Sequence, residues 1–461
     1  MFVSSRQHAQ RLFLWGSGVA VAAVVGCSST GSTNDGGSGG VDGRAGSATG
    51  AVGGGVASSG GSTQAAGGSG ASTGGLSSSG GVSSAGGPSA GAPATGGALS
   101  NGGTTSAGGS GGMGGKGGVG GTGGMNSAAG ASGAESSSSG PCDIYATANT
   151  PCVAAHSTTR ALYGAYNGPL YQVRRASDKA TKDVPVLGAG GFVDIAVQDT
   201  FCSGTTCTIA SIYDQSPNKN DLLKSGVATW LPNGGVEANA DSGKITLSGH
   251  TAHGIYVTGN SNVAYRNNAT KGVAKGDQAE AMYMVVDGKR SSSVCCFDYG
   301  NAETSGKDDG NGTMEALYWG TDTTWGGTGQ GSGPWVAADL ENGIFKGDKG
   351  GWQSQAINTP SAKSVIAAYA TAMLKGPSGN HFTLKAGDAQ TGTLVTMWDG
   401  VRPSPGYSPK KLQGAIIVGT GGDGSNGGTG TFFEGAMTNG NPPDSVDALV
   451  QANIVAAGYG H

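Results

Sequence analysis

Gly414-Ala-Ile-Ile-Val-Gly-Thr-Gly-Gly-Asp-Gly-Ser-Asn-Gly-Gly-Thr-Gly-Thr-Phe-Phe-Glu434 consists of two short apolar runs separated by a loop almost bare of side chains. Each run has strand length, and the glycines between them permit a sharp reversal, so the stretch reads as a glycine hairpin. Similar runs recur every ten residues or so from Pro141 onward: Thr208–Tyr213, Ala281–Val286, Ser364–Tyr369 and Thr393–Met397, each bounded by Gly, Asn, Asp or Ser. Short runs at this spacing predict the strands of a sandwich. Two stretches look helical. Cys152–Tyr166 is alanine-rich, and Ser445–Ala457 carries an apolar stripe of Val446, Leu449, Val450, Ile454 and Val455, with Ser445 as a cap. The expected fold is therefore one mainly antiparallel β-sandwich with few helices.

Upstream of that domain the chain changes character. Of 93 glycines in 461 residues, 42 lie in Ser28–Gly140, which has no Phe, Trp or Tyr and five charged side chains. Such a segment has too little to bury to offset the entropy of ordering its backbone, and it lacks the three-residue period of collagen. A flexible coil of 113 residues has a typical reach on the order of 55–65 Å. Met1–Gly26 resembles an export signal, with Arg6 and Arg11 before the apolar run Leu12–Val25, too short to span a bilayer. Its ending, Val24-Val25-Gly26-Cys27, resembles a bacterial lipobox, which implies a lipid on Cys27; Ser28 in place of Asp fits sorting to an outer membrane. The expected divisions are thus 1–27 as leader, 28–140 as linker and 141–461 as the folded domain. Net charge is −4 with no basic run, which argues against a nucleic-acid partner.

Six of the seven cysteines follow Gly140, an even number in an exported chain. Cys142 with Cys152, and Cys202 with Cys207, could each close a short loop. No histidine lies at ligand spacing from them, so a metal cluster is disfavoured. Cys295 and Cys296 are adjacent, and Cα atoms about 3.8 Å apart across a trans peptide lie below the usual span of a bridge. A vicinal disulfide, holding its backbone rigidly, and two buried thiols both remain open on this reading.

Carboxylates concentrate in two places. In Gly333-Pro-Trp-Val-Ala-Ala-Asp-Leu-Glu-Asn-Gly343 a strand period places Trp335, Ala337, Asp339 and Glu341 on one face and Val336, Ala338 and Leu340 on the other. Two acids held close and desolvated raise each other's pKa, and an aromatic ring beside paired acids suits a sugar. A solvated sheet face with incidental acids is the plainer alternative. In the glycine loop, Asp423 is the one ionisable group, so backbone could approach a substrate closely there. A hairpin-tip Asp, a partial calcium loop and a phosphate cradle compete, though the last lacks its Lys and following helix.

Longer blocks carry a resemblance. Pro141-Cys-Asp-Ile-Tyr145, Ala161–Arg175, Cys295–Glu303, Trp335–Gly343 and Gln451–Ala457 closely resemble the catalytic domain of α-L-arabinofuranosidases of glycoside hydrolase family fifty-four, over about Pro141 to the C-terminus. The resemblance implies a concanavalin-like β-sandwich and retaining hydrolysis, with no cofactor or metal. It gives Glu341 the role of nucleophile and Asp423 that of general acid/base. Asp339, Asn342, Gly422 and Trp325 would contact arabinofuranose, and a Cys295–Cys296 disulfide would line the pocket. It likewise implies the Cys142–Cys152 and Cys202–Cys207 bridges. The partner would be a plant cell-wall polysaccharide or arabino-oligosaccharide, the protein a monomer, exported and attached to the envelope through Cys27. A C-terminal arabinose-binding β-trefoil, common in the family, has no counterpart before His461, so a weaker grip on polymers is expected. A non-catalytic surface lectin, and a structural protein on a stalk, are the readings from other classes.

Overall fold

The structure, a computed structural model, describes residues 139–349 and 362–461. The leader, Cys27 and nearly all of the linker lie outside the described residues. Two sheets, antiparallel in every strand pair, form a sandwich. One has seven strands: Cys152–Ser157, Gly430–Asn439, Glu280–Asp287, Tyr369–Gly376, Phe382–Asp388 and Val395–Gly400 in order, with Ile255–Val257 beside Gly430–Asn439. The other has ten: Ile344–Phe345, Trp335–Asp339, Glu315–Gly320, Asp298–Ala302, Ala415–Val418, Tyr265–Asn267, Leu222–Lys224, Cys207–Ile212, Pro169–Arg175 and Thr181–Pro185. Glu315–Gly320 and Trp335–Asp339 pack across the interface on Tyr369–Gly376. The mainly β sandwich expected from the sequence is the fold observed.

Glu280-Ala-Met-Tyr-Met-Val-Val-Asp287 is buried at every position except the last, because both faces of its sheet are covered. Met282 meets the facing sheet near Gly300. Tyr283, on the opposite face, stacks 6.4 Å from Tyr145 of the helix Pro141–Thr147 and donates to Glu434 Oε1 at 3.2 Å. The helix Asp444–Ala456 lies on the same side. Lys375 Nζ and Lys385 Nζ, from two strands, reach its buried Asp447 Oδ2 at 2.9 and 2.7 Å.

Several expectations are corrected. Cys152–Tyr166 is not a helix: Cys152–Ser157 is a fully buried strand and the remainder is irregular. Alanine's helix preference is worth less than 1 kcal/mol per residue, whereas this segment is fixed by pairing with Gly430–Asn439, by Ala155 N–H donating to Asp214 Oδ1 at 2.8 Å, and by the Cys142–Cys152 disulfide. Helices Pro141–Thr147 and Ile195–Phe201 went unread, being too short to show a period. The C-terminal helix begins at Asp444 after Pro443, so Ser445 is no cap; Leu449 faces solvent, while Asp447 and Gln451 are buried by their polar partners. Residues 364–368 are loop, with Ile366 92% exposed, and the strand starts only at Tyr369. Finally, the opening stretch is not a hairpin. Ala415–Val418 belongs to the ten-stranded sheet and Gly430–Asn439 to the seven-stranded one, so the glycine loop crosses between the layers.

Candidate active site

On the ten-stranded sheet the strand Trp335–Asp339 divides its side chains as the two-residue period predicts. Val336 and Ala338, with Leu340 just beyond, enter the main core, while Ala337 joins Cys296, Tyr318 and Ile344 in a separate cluster on the other face. Above that cluster opens a cavity of about 630 Å³, within the size range of small-molecule sites. Its lining includes Asp339, Glu341, Asn342, Trp325, Gly422, Asp423, Cys295 and Cys296. Every side chain and glycine that the resemblance assigns to the sugar site therefore opens on a single space.

Glu341 does not continue the strand. It and Asn342 hold φ values of 63° and 56°, and Leu340 N–H bonds Gly343 O at 3.2 Å, closing a two-residue turn onto Ile344–Phe345. Such turns require positive φ at both central positions and favour Gly or Asn, so a glutamate there is strained by roughly 1–3 kcal/mol, a pattern common at functional sites. The turn is fixed by Glu341 N–H to Asp339 Oδ1 at 3.1 Å, Asn342 Nδ2 to Asp308 Oδ1 at 3.1 Å, and Tyr407 O–H to Asn342 O at 3.3 Å.

Asp423 is delivered by the crossing loop. Asn426 pins the loop's base by donating to Gly419 O at 2.8 Å and Val263 O at 2.9 Å. Within it Gly421 N–H bonds Ser425 O, and Ser425 N–H bonds Asp423 Oδ1, at 2.8 and 2.9 Å. Gly422 is required by space: a Cβ there would collide with the Glu303 carboxyl. Cys295 and Cys296 are disulfide-bonded to each other, with a cis peptide between them, and Cys296 Sγ lies 3.4 Å from Asp339 Oδ2. The other two pairs are also bridged, Cys142–Cys152 and Cys202–Cys207, with Cα separations of 5.5 and 5.8 Å.

The aromatic side of the site differs from the strand reading. Trp335 is buried away from the cavity, donating from Nε1 to Gln330 O at 3.1 Å with Lys346 Nζ 5.3 Å from its ring. The rings at the cavity are Trp325, whose backbone N–H donates to Asp322 Oδ1 at 2.9 Å, and Trp230, from a loop to which the sequence reading gave no role.

A buried acid layer beneath the cavity was also missed. Glu303, fully buried, accepts from Thr313 Oγ1 at 2.6 Å, and the buried Asp298 carboxyl lies against that of Asp339. Arg266 is the cation beside Glu303. It donates from Nη1 to Gly422 O at 2.6 Å and from Nη2 to the Glu303 carbonyl, and its charge attracts Glu303, Asp423 and Glu341. Burial pushes Glu341 up to about 12, with the charges of Glu303 and Asp339 adding to it. Burial likewise raises Asp339 to about 7, against the opposing Glu341 N–H bond, and lifts Glu303 and Asp298. Carboxyls packed this closely around one guanidinium cannot all ionise, so the floor of the cavity retains protons at neutral pH. No spacing in the sequence signals this layer, because Arg266 lies on one strand and Asp298 on another, with Glu303 just past its end, and the two strands meet through Ala415–Val418. Glu303 does fall within one of the blocks that carry the family resemblance.

A family model described as Alpha-L-arabinofuranosidase B, catalytic, matches residues 141–460. The chain is 51% identical over 328 residues to the alpha-L-arabinofuranosidase B of Emericella nidulans, covering 70% of this chain and 62% of that protein. It is 49% identical over 333 residues to the alpha-L-arabinofuranosidase B of Aspergillus oryzae, covering 70% and 63%. It thus spans somewhat under two thirds of the length of these relatives. A solved α-L-arabinofuranosidase of glycoside hydrolase family fifty-four, soaked with a cyclic sulfate inhibitor, superposes with a TM-score of 0.66 at 46% identity, over 69% of this chain and 66% of that one. An arabinofuranosidase complexed with arabinofuranosyl-alpha-1,2-xylobiose gives the same TM-score and identity over 69% and 65%. With most of its folded residues matched at about half identity and its acids gathered in one cavity, this chain belongs to the arabinofuranosidase B catalytic-domain family.

Proposed function

We propose that the domain is a retaining α-L-arabinofuranosidase that releases terminal L-arabinofuranose from arabinan- or arabinoxylan-type side chains. The observation that carries the reading is the opening of Glu341 and Asp423, from a strand-end turn and a loop between sheets, on one cavity with Trp325 and the Cys295–Cys296 disulfide. The name of the family supports the substrate class, and the arabinofuranosyl-xylobiose bound by a relative supports the polymer class.

The chemistry splits one difficult displacement into two easier ones. Glu341 attacks the anomeric carbon while Asp423 gives its proton to the departing oxygen; Asp423 then takes a proton from water, which cleaves the arabinosyl-enzyme. Ser425 N–H holds Asp423 Oδ1, which leaves Oδ2 to carry that proton. Attack requires Glu341 ionised, against the burial and neighbouring acids that raise it; the charge of Arg266 opposes that rise. Asp339, Asn342 and the Gly422 backbone hold the sugar hydroxyls, and Trp325 and the disulfide give its ring an apolar wall.

The test is an NMR time course of product anomers from an aryl α-L-arabinofuranoside. Retention, total loss of turnover in a folded Glu341→Ala variant, and an Asp423→Ala variant that spares the first step only with good leaving groups are expected. First-formed product of inverted configuration, or binding without turnover in the wild type, overturns the reading. Export and attachment through Cys27 belong to the same proposal, supported by three disulfides suited to an oxidising compartment.

A further inference from the structure

Trp230 is 66% exposed at the cavity mouth. Its indole takes no part in any ring stack, cation–π pair or hydrogen bond among the described residues. Its backbone is not loose. Trp230 N–H donates to Asp423 O at 3.1 Å, Thr229 N–H to Gly306 O at 2.9 Å, and Ala228 and Leu231 close a turn by bonding each other at 3.1 and 3.2 Å. The turn lies directly on the acid loop, since a Cβ on Gly424 would strike Ala228 Cβ at 2.6 Å. A large apolar ring is therefore held in water by a fixed backbone, on the same side of the cavity as Asp423.

We infer that Trp230 is the stacking platform for the sugar that carries the arabinose, forming a leaving-group subsite. The inference rests on the reading of Asp423 as the acid: that residue protonates the departing oxygen, so whatever hangs from the oxygen leaves along the Asp423 side. The occupant is a pyranose unit of a glycan main chain, because a pyranose presents a flat face of C–H groups that an indole covers well, while its hydroxyls stay in water around the rim. Two features fit. The cavity is larger than one five-membered sugar ring needs, and it grades from a floor of buried acids, with Asp339 and Glu341 each 6% exposed, to an apolar lip of Trp230 and the half-exposed Val294.

The experiment compares kcat/KM for methyl α-L-arabinofuranoside, whose leaving group cannot stack, with that for arabinofuranosyl-xylobiose, in wild type, Trp230→Ala and Trp230→Phe. The ratio of the second to the first is expected to fall on the order of tenfold in W230A, the worth of one aromatic contact, and to recover largely in W230F. Calorimetric titration with unbranched xylo-oligosaccharide, which needs no turnover, is expected to show binding to wild type that W230A loses. An unchanged ratio together with unchanged xylo-oligosaccharide binding overturns the platform; equal losses on both substrates assign Trp230 to shaping the acid loop and overturn it too. A wild type that binds xylo-oligosaccharide through Trp230 but cleaves neither arabinoside sinks the hydrolase reading and keeps the platform.

Discussion

Replacing Asp339 with Asn removes a charge that the folded protein holds at a loss. Burial raises this carboxyl from its ordinary 3.8 to about 7, and the sign follows from linkage. The folded state binds a proton more tightly than the unfolded chain, so the stability this provides is complete below pH 4 and is lost as pH rises through 7. The rise spans about three pH units, and at about 1.4 kcal/mol per unit the wild type is weaker at pH 8 than at pH 4 by up to about 4 kcal/mol from this group. Glu303 and Glu341 share the crowding, so relief of about 2–4 kcal/mol is expected from D339N at pH 8. Asn retains an oxygen to accept the Glu341 N–H, so the turn is kept. For a domain of this size each kcal/mol moves Tm by about 2 °C, which predicts a gain of roughly 4–8 °C at pH 8 and almost none at pH 4. Scanning calorimetry of both proteins at the two pH values is the assay, with loss of turnover as the accompanying cost. Equal gains at pH 4 and pH 8, or a lower Tm for D339N at pH 8, refute the account of a proton-retaining cavity floor.

Two further outcomes are expected. Cys142→Ser with Cys152→Ser opens a loop of sequence separation 10, and stability is expected to fall by about 3 kcal/mol with kcat/KM on an aryl arabinoside preserved, since the bridge ties the helix Pro141–Thr147 to a strand remote from the cavity; an equal loss of activity and stability at permissive temperature counts against that separation. Mass spectrometry of the mature protein from an exporting bacterial host is expected to find a lipid-modified Cys27 at the N-terminus, abolished by Cys27→Ser; an unmodified N-terminus downstream of Cys27 removes the anchor.

Much of the site was legible because its residues cluster in short stretches. The alternation of Trp335–Leu340 divides core from cavity in the sequence as in the fold, and the bare glycines around Asp423 mark a backbone that other groups approach closely. The limits were equally physical. Trp335 reads as the aromatic of the site because it shares a strand face with Asp339, yet its indole finds Gln330 and Lys346 first. Cys152–Ser157 reads as helix because local preference is all a short alanine-rich segment displays, and its partners lie at Asp214 and in Gly430–Asn439.

Local chemistry, then, already settles that the domain is built of short strands, which face of Trp335–Leu340 is apolar, and where acids and cysteines occur, since each depends on near neighbours in the chain. Which carboxyls share a cavity, which of them keep a proton and which tryptophan stands at its mouth depend on approaches between segments far apart in sequence. Arg266, Glu303 and Glu341 come from three separate stretches, and their charges acquire shifted energies only when the folded sheet excludes water from between them.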